Sequence, residues 1–468
     1  MTTAKRLIKN LFSLSAAQII SKVIGLITTA YLARVIRPQG FGIIGFAAAF
    51  VSYFALMVNL GFDTLGVREA ARNKDNIVKY VNNIITIRLI MATIGYALLV
   101  GVISLLDKPL LVKSVLYITG LGLFSNAFLL NWVFQGIERM EIIAIGQVFT
   151  SMLSLAGILL LVHNPDDVFL AVIATVVSNA ANTFLMIAIY IKRFGKIRLA
   201  FDMPFWKRMF AAALPMAFSA FMIAIYYNID MVILGFMKTE TEVGYYSAAY
   251  KILLLSLIPA GIILNVFFPQ LSIANGNLNR MEFLMQKYST AMFIVGALFS
   301  VMGIAFANQI VTIVFGSGFH QSIFLLQILM IDAILVYINM TYGNPLLAWN
   351  KETVYMYAII VGGIGNIILN FILIPRYGAT GAAVATVFSE ALVLAGLSYL
   401  HFKVSRSLYL DNLSKVLFIA IISLVIAYLM RSFDINIVIA GFSTVFIFCF
   451  FNLILRTVSL KKLRGYFI

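Results

Sequence analysis

The chain alternates long apolar runs with short breaks that carry its charges, prolines and many of its glycines. Cutting at those breaks leaves fourteen segments, each near the ~20 residues that an α-helix needs to cross a bilayer. They cover residues 11–32, 41–60, 84–106, 115–134, 142–162 and 168–191, then 209–237, 244–268, 288–306, 323–348, 354–374 and 379–402. Two more, 416–430 and 435–455, close the chain. The pattern predicts an all-α membrane protein of about 14 transmembrane helices.

Composition agrees with that reading. Of 468 residues, 62% are hydrophobic and 11% charged, against about 45–50% and about 25% in soluble domains. One cysteine, Cys449, excludes a disulfide framework and a thiolate metal site. His163, His320 and His401 stand far apart without ligand spacing, so neither a metal nor a cofactor is expected. The basic start runs into apolar residues with no small-residue cleavage site, which predicts a retained first span rather than a signal peptide.

Charge sets the orientation. With the N-terminus inside, cytoplasmic segments hold 24 of the 34 Lys and Arg, outer loops hold 7, and Lys22, Arg88 and Lys251 lie within spans. That bias places both termini in the cytoplasm of an inner (cytoplasmic) membrane. The net charge of +16 then reflects topology and attraction to anionic lipid, and calls for no nucleic acid.

Internal similarity adds an architecture. Ile173-Ala-Thr-Val-Val-Ser-Asn-Ala180 matches Val384-Ala-Thr-Val-Phe-Ser-Glu-Ala391 at five of eight positions, each in the last helix of a six-helix set. Leu7-Ile-Lys-Asn-Leu-Phe12 and Phe205-Trp-Lys-Arg-Met-Phe210 repeat at a similar offset. An even helix number per copy makes the copies parallel. The expectation is two six-helix lobes, 1–198 and 199–403, around a central cavity, with a helix pair at 404–468.

Several segments resemble a known family. Asn131-Trp-Val-Phe-Gln-Gly-Ile-Glu-Arg-Met140 is similar to a W-x-F-Q-G-x-E-x-M pattern of the Wzx-type O-antigen flippases, within the multidrug/oligosaccharidyl-lipid/polysaccharide exporter superfamily. Asn228-Ile-Asp-Met-Val-Ile-Leu-Gly235, Glu242-Val-Gly-Tyr-Tyr-Ser-Ala-Ala-Tyr250, Leu60-Gly-Phe-Asp-Thr-Leu-Gly-Val-Arg-Glu-Ala-Ala-Arg72 and Ile374-Pro-Arg-Tyr-Gly-Ala-Thr-Gly-Ala-Ala383 resemble further stretches of that family. The resemblance implies alternating-access flipping of a polyprenyl-pyrophosphate-linked oligosaccharide, an O-antigen, capsule or related repeat unit, to the outer leaflet. It also implies contact with polysaccharide polymerase machinery. Ser21-Lys-Val-Ile-Gly25 resembles the first-span S-R-x-x-G of lipid II flippases, but Thr28 and Thr29 replace the Arg-Asp pair that follows there, which argues against lipid II as cargo.

Ionisable residues inside spans cost at least about 2.5–3.5 kcal/mol each, so each needs a reason. Lys22 sits roughly 16 Å into the first span at 1.5 Å per residue, too deep to snorkel with ease. It reads as a cavity-lining cation or half of a structural pair. Arg88 can line the cavity or snorkel to the cytoplasmic face. Lys251 and Asp230 fall at one depth on neighbouring antiparallel spans, which fits an ion pair, although Lys251 also qualifies as a substrate-binding cation. Asp332 and Glu390 sit near mid-membrane, as H⁺- or Na⁺-coupling groups or as hydrogen-bonded buried acids, and Asp230 also qualifies as an ion-coupling group. The first lobe's spans carry cations alone, and the second lobe's are net negative. Pro215, Pro259 and Pro345 fall in second-lobe spans, where kinks and freed carbonyls suit hinges and ion sites.

Two other functions compete. A multidrug-type, cation-coupled exporter of the same fold would line its first lobe with carboxylates, where this chain has Lys22. A membrane enzyme of polysaccharide assembly needs acids or arginines on a sizeable outer loop, and 307–322, the longest, has no Lys, Arg, Asp or Glu. No nucleophile–base pair stands out, so no catalytic residue is assigned.

Overall fold

The computed structural model describes residues 3–455 and 457 apart from 409 and 434, with the side chains of 3–16, 219 and 411 outside that description. The terminal cations Lys5, Arg6, Lys9, Arg456, Lys461, Lys462 and Arg464, counted above as cytoplasmic, therefore lie outside the described side chains.

Helix dominates because a chain in hydrocarbon must satisfy its own backbone, and helices do so locally. Among the described residues, twelve helical runs are long and apolar enough to cross a membrane. Two of them, Ala17–Arg72 and Glu352–Ser405, are broken inside, at Arg37 (φ 60°, ψ 178°) and Gly378 (φ 55°, ψ −134°). Each of the fourteen predicted segments falls on one of these helices or on one arm of a broken one.

The chain divides into two compact units, Met1–Gly235 with Thr239–Gly244, and Phe236–Lys238 with Tyr245–Ile468. The first contains α1 (Thr3–Asn59), α2 (Phe62–Arg72), α3 (Ile77–Leu105), α4 (Leu110–Ala127), α5 (Asn131–Gly136), α6 (Met140–Leu161), α7 (Val168–Phe194) and most of α8 (Met203–Met237). The second contains most of α9 (Glu240–Ser256), then α10 (Ile258–Ile273), α11 (Leu278–Ala305), α12 (Ala307–Phe315), α13 (Ser322–Ala348), α14 (Glu352–Ser405), α15 (Leu410–Ser432) and α16 (Ile437–Ile454).

The predicted eighth span is two helices. α9 stops at Ser256 and α10 begins at Ile258, with Pro259 in its first turn. A proline there loses no helical hydrogen bond, since the first N–H groups have no partner within the helix. Pro259 thus starts a helix instead of kinking one, whereas Pro215 and Pro345 do lie within α8 and α13.

Loops sort to two ends within each unit. In the first, Tyr31 Oη donates to Val162 O (2.8 Å) and Lys108 pairs with Glu240 (2.9 Å) at one end. At the other, Trp206 Nε1 donates to Asn83 Oδ1 (2.8 Å) and Lys79 pairs with Asp202 (3.3 Å). In the second, Arg431 Nη1 donates to Ala305 O (2.6 Å) at one end, and Tyr342 Oη donates to Leu408 O (2.7 Å) at the other. Both units therefore bring together loops that share a side in the sequence-derived topology.

Candidate functional site

The cations of the first unit behave differently from one another. Arg88, on α3, is buried at 2% exposure. Its Nη2 donates to Asn59 Oδ1 (2.7 Å) and Asp63 Oδ1 (2.8 Å), and its Nη1 to Leu129 O (3.4 Å). Asn59 Nδ2 also donates to Asp63 Oδ2 (2.8 Å), so one guanidinium ties the end of α1, the start of α2 and the α4–α5 link. The side chain is spent on this tie and does not snorkel. Asp63 and Asn59 were not singled out by sequence; Asp63 stood in a quoted motif, but its partner lies 25 residues away.

The Trp-x-Phe-Gln-Gly segment works beside this tie. Trp132 and Phe134 are fully buried on α5. A Cβ at Gly66 would run into the Trp132 ring, and one at Gly136 into Ala70. The two glycines let α5 lie directly on α2, and the motif is a packing lock.

Lys22 contrasts with Arg88. It is exposed on α1 among Ile19, Ile20, Val23 and Ile27, and makes no ion pair among the described residues. It stands fifteen residues before the Arg37 break, roughly 22 Å at 1.5 Å per residue.

The remaining candidates are split between units. Asp230 is buried on α8 in the first; Lys251 is exposed on α9 in the second. Asp332 on α13 and Glu390 on α14 are both buried. The Asn339 Nδ2 donates to the Glu390 carboxylate Oε2 and, at 3.0 Å, to the Glu390 carbonyl. One amide thus pins both ends of that residue against α13.

Two pockets lie wholly within the first unit. One, of about 320 Å³, is lined by Arg68, Lys79 and Arg208 together with Glu69 and Tyr80. Glu69 engages Arg68 (3.2 Å) and accepts from Tyr80 Oη (3.1 Å). The other, of about 370 Å³, is walled by the later arm of α1 with α4 and α7, and its polar groups are hydroxyls and amides with no charged residue among them. Sequence reading followed charges and passed over this neutral pocket, although Thr175 and Asn179 stand in the repeated segment.

These features define a polytopic fold of long apolar helices, two of them broken inside. The structure superposes on a solved chain titled "Lipid II flippase MurJ, inward closed conformation" with a TM-score of 0.76, at 16% identity over 94% of this chain and 98% of that one. An inward-facing multidrug resistance MATE family transporter gives a TM-score of 0.68, at 16% identity over 85% and 98%. Residues 7–274 match the family described as "Polysaccharide biosynthesis protein", and the chain belongs to that family. A relative in Escherichia coli (strain K12), named "Putative O-antigen transporter", is 24% identical over 393 residues, covering 82% of this chain and 94% of its own.

Proposed function

We propose that the protein flips a polyprenyl-pyrophosphate-linked oligosaccharide, an O-antigen, capsule or related repeat unit, from the cytoplasmic to the outer leaflet by alternating access. The observation that carries this reading is Lys22: a lysine deep in the first span, exposed and without an ion pair among the described residues. An uncompensated cation at that depth is costly in lipid. It suits a surface that meets an anionic cargo such as a pyrophosphate, and it opposes the cationic drugs of a multidrug exporter. Family membership and the O-antigen transporter name of the relative point to the same cargo class.

In this reading Lys22 is the diphosphate contact and Lys251 a second cation near the path. Arg88 supports the site by fixing α1, α2 and the α4–α5 link. Asp230, Asp332 and Glu390 are candidates for H⁺ or Na⁺ coupling. The protein acts as a transporter in the inner membrane, both termini cytoplasmic, and hands its product to polymerase machinery outside; it makes and breaks no covalent bond.

The test is genetic. Deletion should make a lipid-linked glycan accumulate on the cytoplasmic leaflet; Lys22→Ala should fail to restore export at normal protein levels, and Lys22→Arg should restore part of it. Full export by the Ala variant, with Lys5, Arg6 and Lys9 still holding the end inside, would remove Lys22 from the path.

A further inference from the structure

The neutral pocket of the first unit has no role in the charge-based account above, yet its chemistry is specific. Ser52 of α1, Thr119 and Asn126 of α4, and Thr175, Asn179 and Asn182 of α7 line it. On α7 these three fall at i, i+4 and i+7, one face of one helix. Polar side chains inside a membrane protein face the bundle interior or a water-filled cavity, because lipid cannot satisfy them. The pocket is therefore wet or filled by a polar ligand.

Its hydrogen-bonding capacity is partly committed and partly open. The hydroxyls of Ser52, Thr119 and Thr175 donate to Ala49 O (2.6 Å), Val115 O (2.7 Å) and Ala171 O (3.0 Å). A hydroxyl whose proton is so engaged still offers oxygen lone pairs. Asn126 and Asn179 are exposed, and neither side chain makes a hydrogen bond among the described residues. The Asn182 Oδ1 has no hydrogen-bond partner there either, but it is buried against Gly146 of α6 and adds nothing to the open capacity. Carboxamides that both donate and accept, set among hydroxyl acceptors and aliphatic walls of Ile44, Val51 and Val172, match the mixed polar and C–H surface of a sugar ring. A cation site would want a carboxylate, and none lines this pocket. A volume of about 370 Å³ lies in the range of about 300–1,000 Å³ typical of small-ligand sites.

The internal repeat sharpens the assignment. Thr175 and Ser178 bond back to Ala171 O (3.0 Å) and Ala174 O (2.7 Å); at an offset of 211, Thr386 and Ser389 bond back to Ala382 O (3.0 Å) and Ala385 O (2.6 Å). The local scaffold is the same in both copies. At the next position they part: Asn179 is neutral and lines an open pocket, whereas Glu390 is an acid buried against Asn339.

We propose that this α1–α4–α7 pocket is a carbohydrate subsite that reads uncharged sugar hydroxyls of the cargo, separately from the diphosphate contact at Lys22. The proposal rests on the flippase reading, and its test separates the two. Purified protein in proteoliposomes is given polyprenyl diphosphate bearing a tetrasaccharide, and polyprenyl diphosphate alone. In the Asn126→Ala/Asn179→Ala variant the glycan lipid should flip roughly tenfold more slowly, the scale of two lost hydrogen bonds, while the bare lipid changes less than twofold. In a Cys449→Ser background, alkylation of the Asn179→Cys variant should be slowed by the glycan lipid and not by the bare lipid. Equal slowing of both lipids, no slowing of either, or equal protection by both overturns the sugar subsite and leaves flipping intact. A wild-type protein that moves neither lipid overturns the flippase reading and this subsite with it.

Discussion

At the residue scale, burial separates two cations that sequence treats alike. Arg88 is 2% exposed and its partner Asp63 is 46% exposed, so the pair stands between a surface bridge, worth about 0–1 kcal/mol, and a buried one, where losing one partner costs about 3–5 kcal/mol. Arg88→Ala should destabilise the detergent-solubilised protein by about 2 kcal/mol, read as a lower melting temperature. Arg88→Lys should recover little of it, because one ammonium cannot reach Asn59, Asp63 and the Leu129 carbonyl in a planar fork. Combining Arg88→Met with Asp63→Asn should cost less than the two changes added, and strict additivity would show that the contact is not energetic. Asp202 offers a pH-dependent counterpart outside the membrane. The Phe205 N–H (3.0 Å), capping α8, and then Lys79 (3.3 Å) hold its carboxyl below the ordinary aspartate value. A depressed folded pKa means that its contribution is present above the unfolded value, near 4, and lost as pH falls through the folded one. Asp202→Asn keeps a capping oxygen but should flatten the loss of melting temperature between about pH 5 and 3; an unchanged slope would assign that loss to other acids. That Lys22 and Arg88 lie on long apolar helices was legible in the sequence. What was not legible was Arg88's partners, since Asp63 and Asn59 meet it only after α1, α2 and α3 pack.

At the element scale, the breaks and the close crossings decide where helices sit. Gly378 has φ 55° and ψ −134°, a region that costs any residue with a Cβ about 1–3 kcal/mol. The crossing of α1 with the first turn of α9 is tighter still. A Cβ at Gly42 would overlap the Glu240 carbonyl, and one at Gly244 the Pro38 carbonyl. Backbone cannot move aside as a side chain can, so Gly42→Ala and Gly244→Ala should each abolish accumulation of folded protein. Gly363→Ala, on a helix face with nothing within 4 Å, should be neutral or stabilising by about 0.5–1 kcal/mol. Size-exclusion profiles of the three variants check this, and a well-folded Gly42→Ala protein would mean the crossing can open. Hydropathy found both arms of α1 and of α14, because apolar length is a local property. The α9–α10 split escaped it, because Pro259 in a continuous apolar run looks the same whether it kinks one helix or starts another. The Gly42–Gly244 crossing escaped it too, as contact between residues two hundred apart leaves no local trace.

At the scale of the whole molecule, fixed charge and moving charge must be distinguished. A diphosphate headgroup carries about two negative charges, and each is worth about 2.3 kcal/mol in a potential of 100 mV, so outward transfer from a negative interior gains roughly 4.6 kcal/mol. That gain is available only if the protein's cations stay behind. Rocking of transporter bundles keeps midplane side chains near the midplane while access alternates, and Lys22 is anchored mid-helix, fifteen residues from the Arg37 break. Arg88 cannot follow the cargo either, since three acceptors hold it. In the proposed flipping cycle the headgroup would therefore cross most of the field and the cations little of it. Under the proposed electrophoretic export, Glu390, pinned at both ends by Asn339, would tune the rate of the conformational change and the potential would supply its drive. The prediction is that flipping in proteoliposomes with an imposed potassium-diffusion potential and no pH or sodium gradient runs faster when the cytoplasmic side is negative, and slows when the sign is reversed. Glu390→Gln should change the rate at both signs by the same factor and leave their ratio unchanged. If flipping instead ignores the potential and follows a proton or sodium gradient, and Glu390→Gln abolishes that dependence, direct electrophoretic export is wrong and the buried acid is the coupling site.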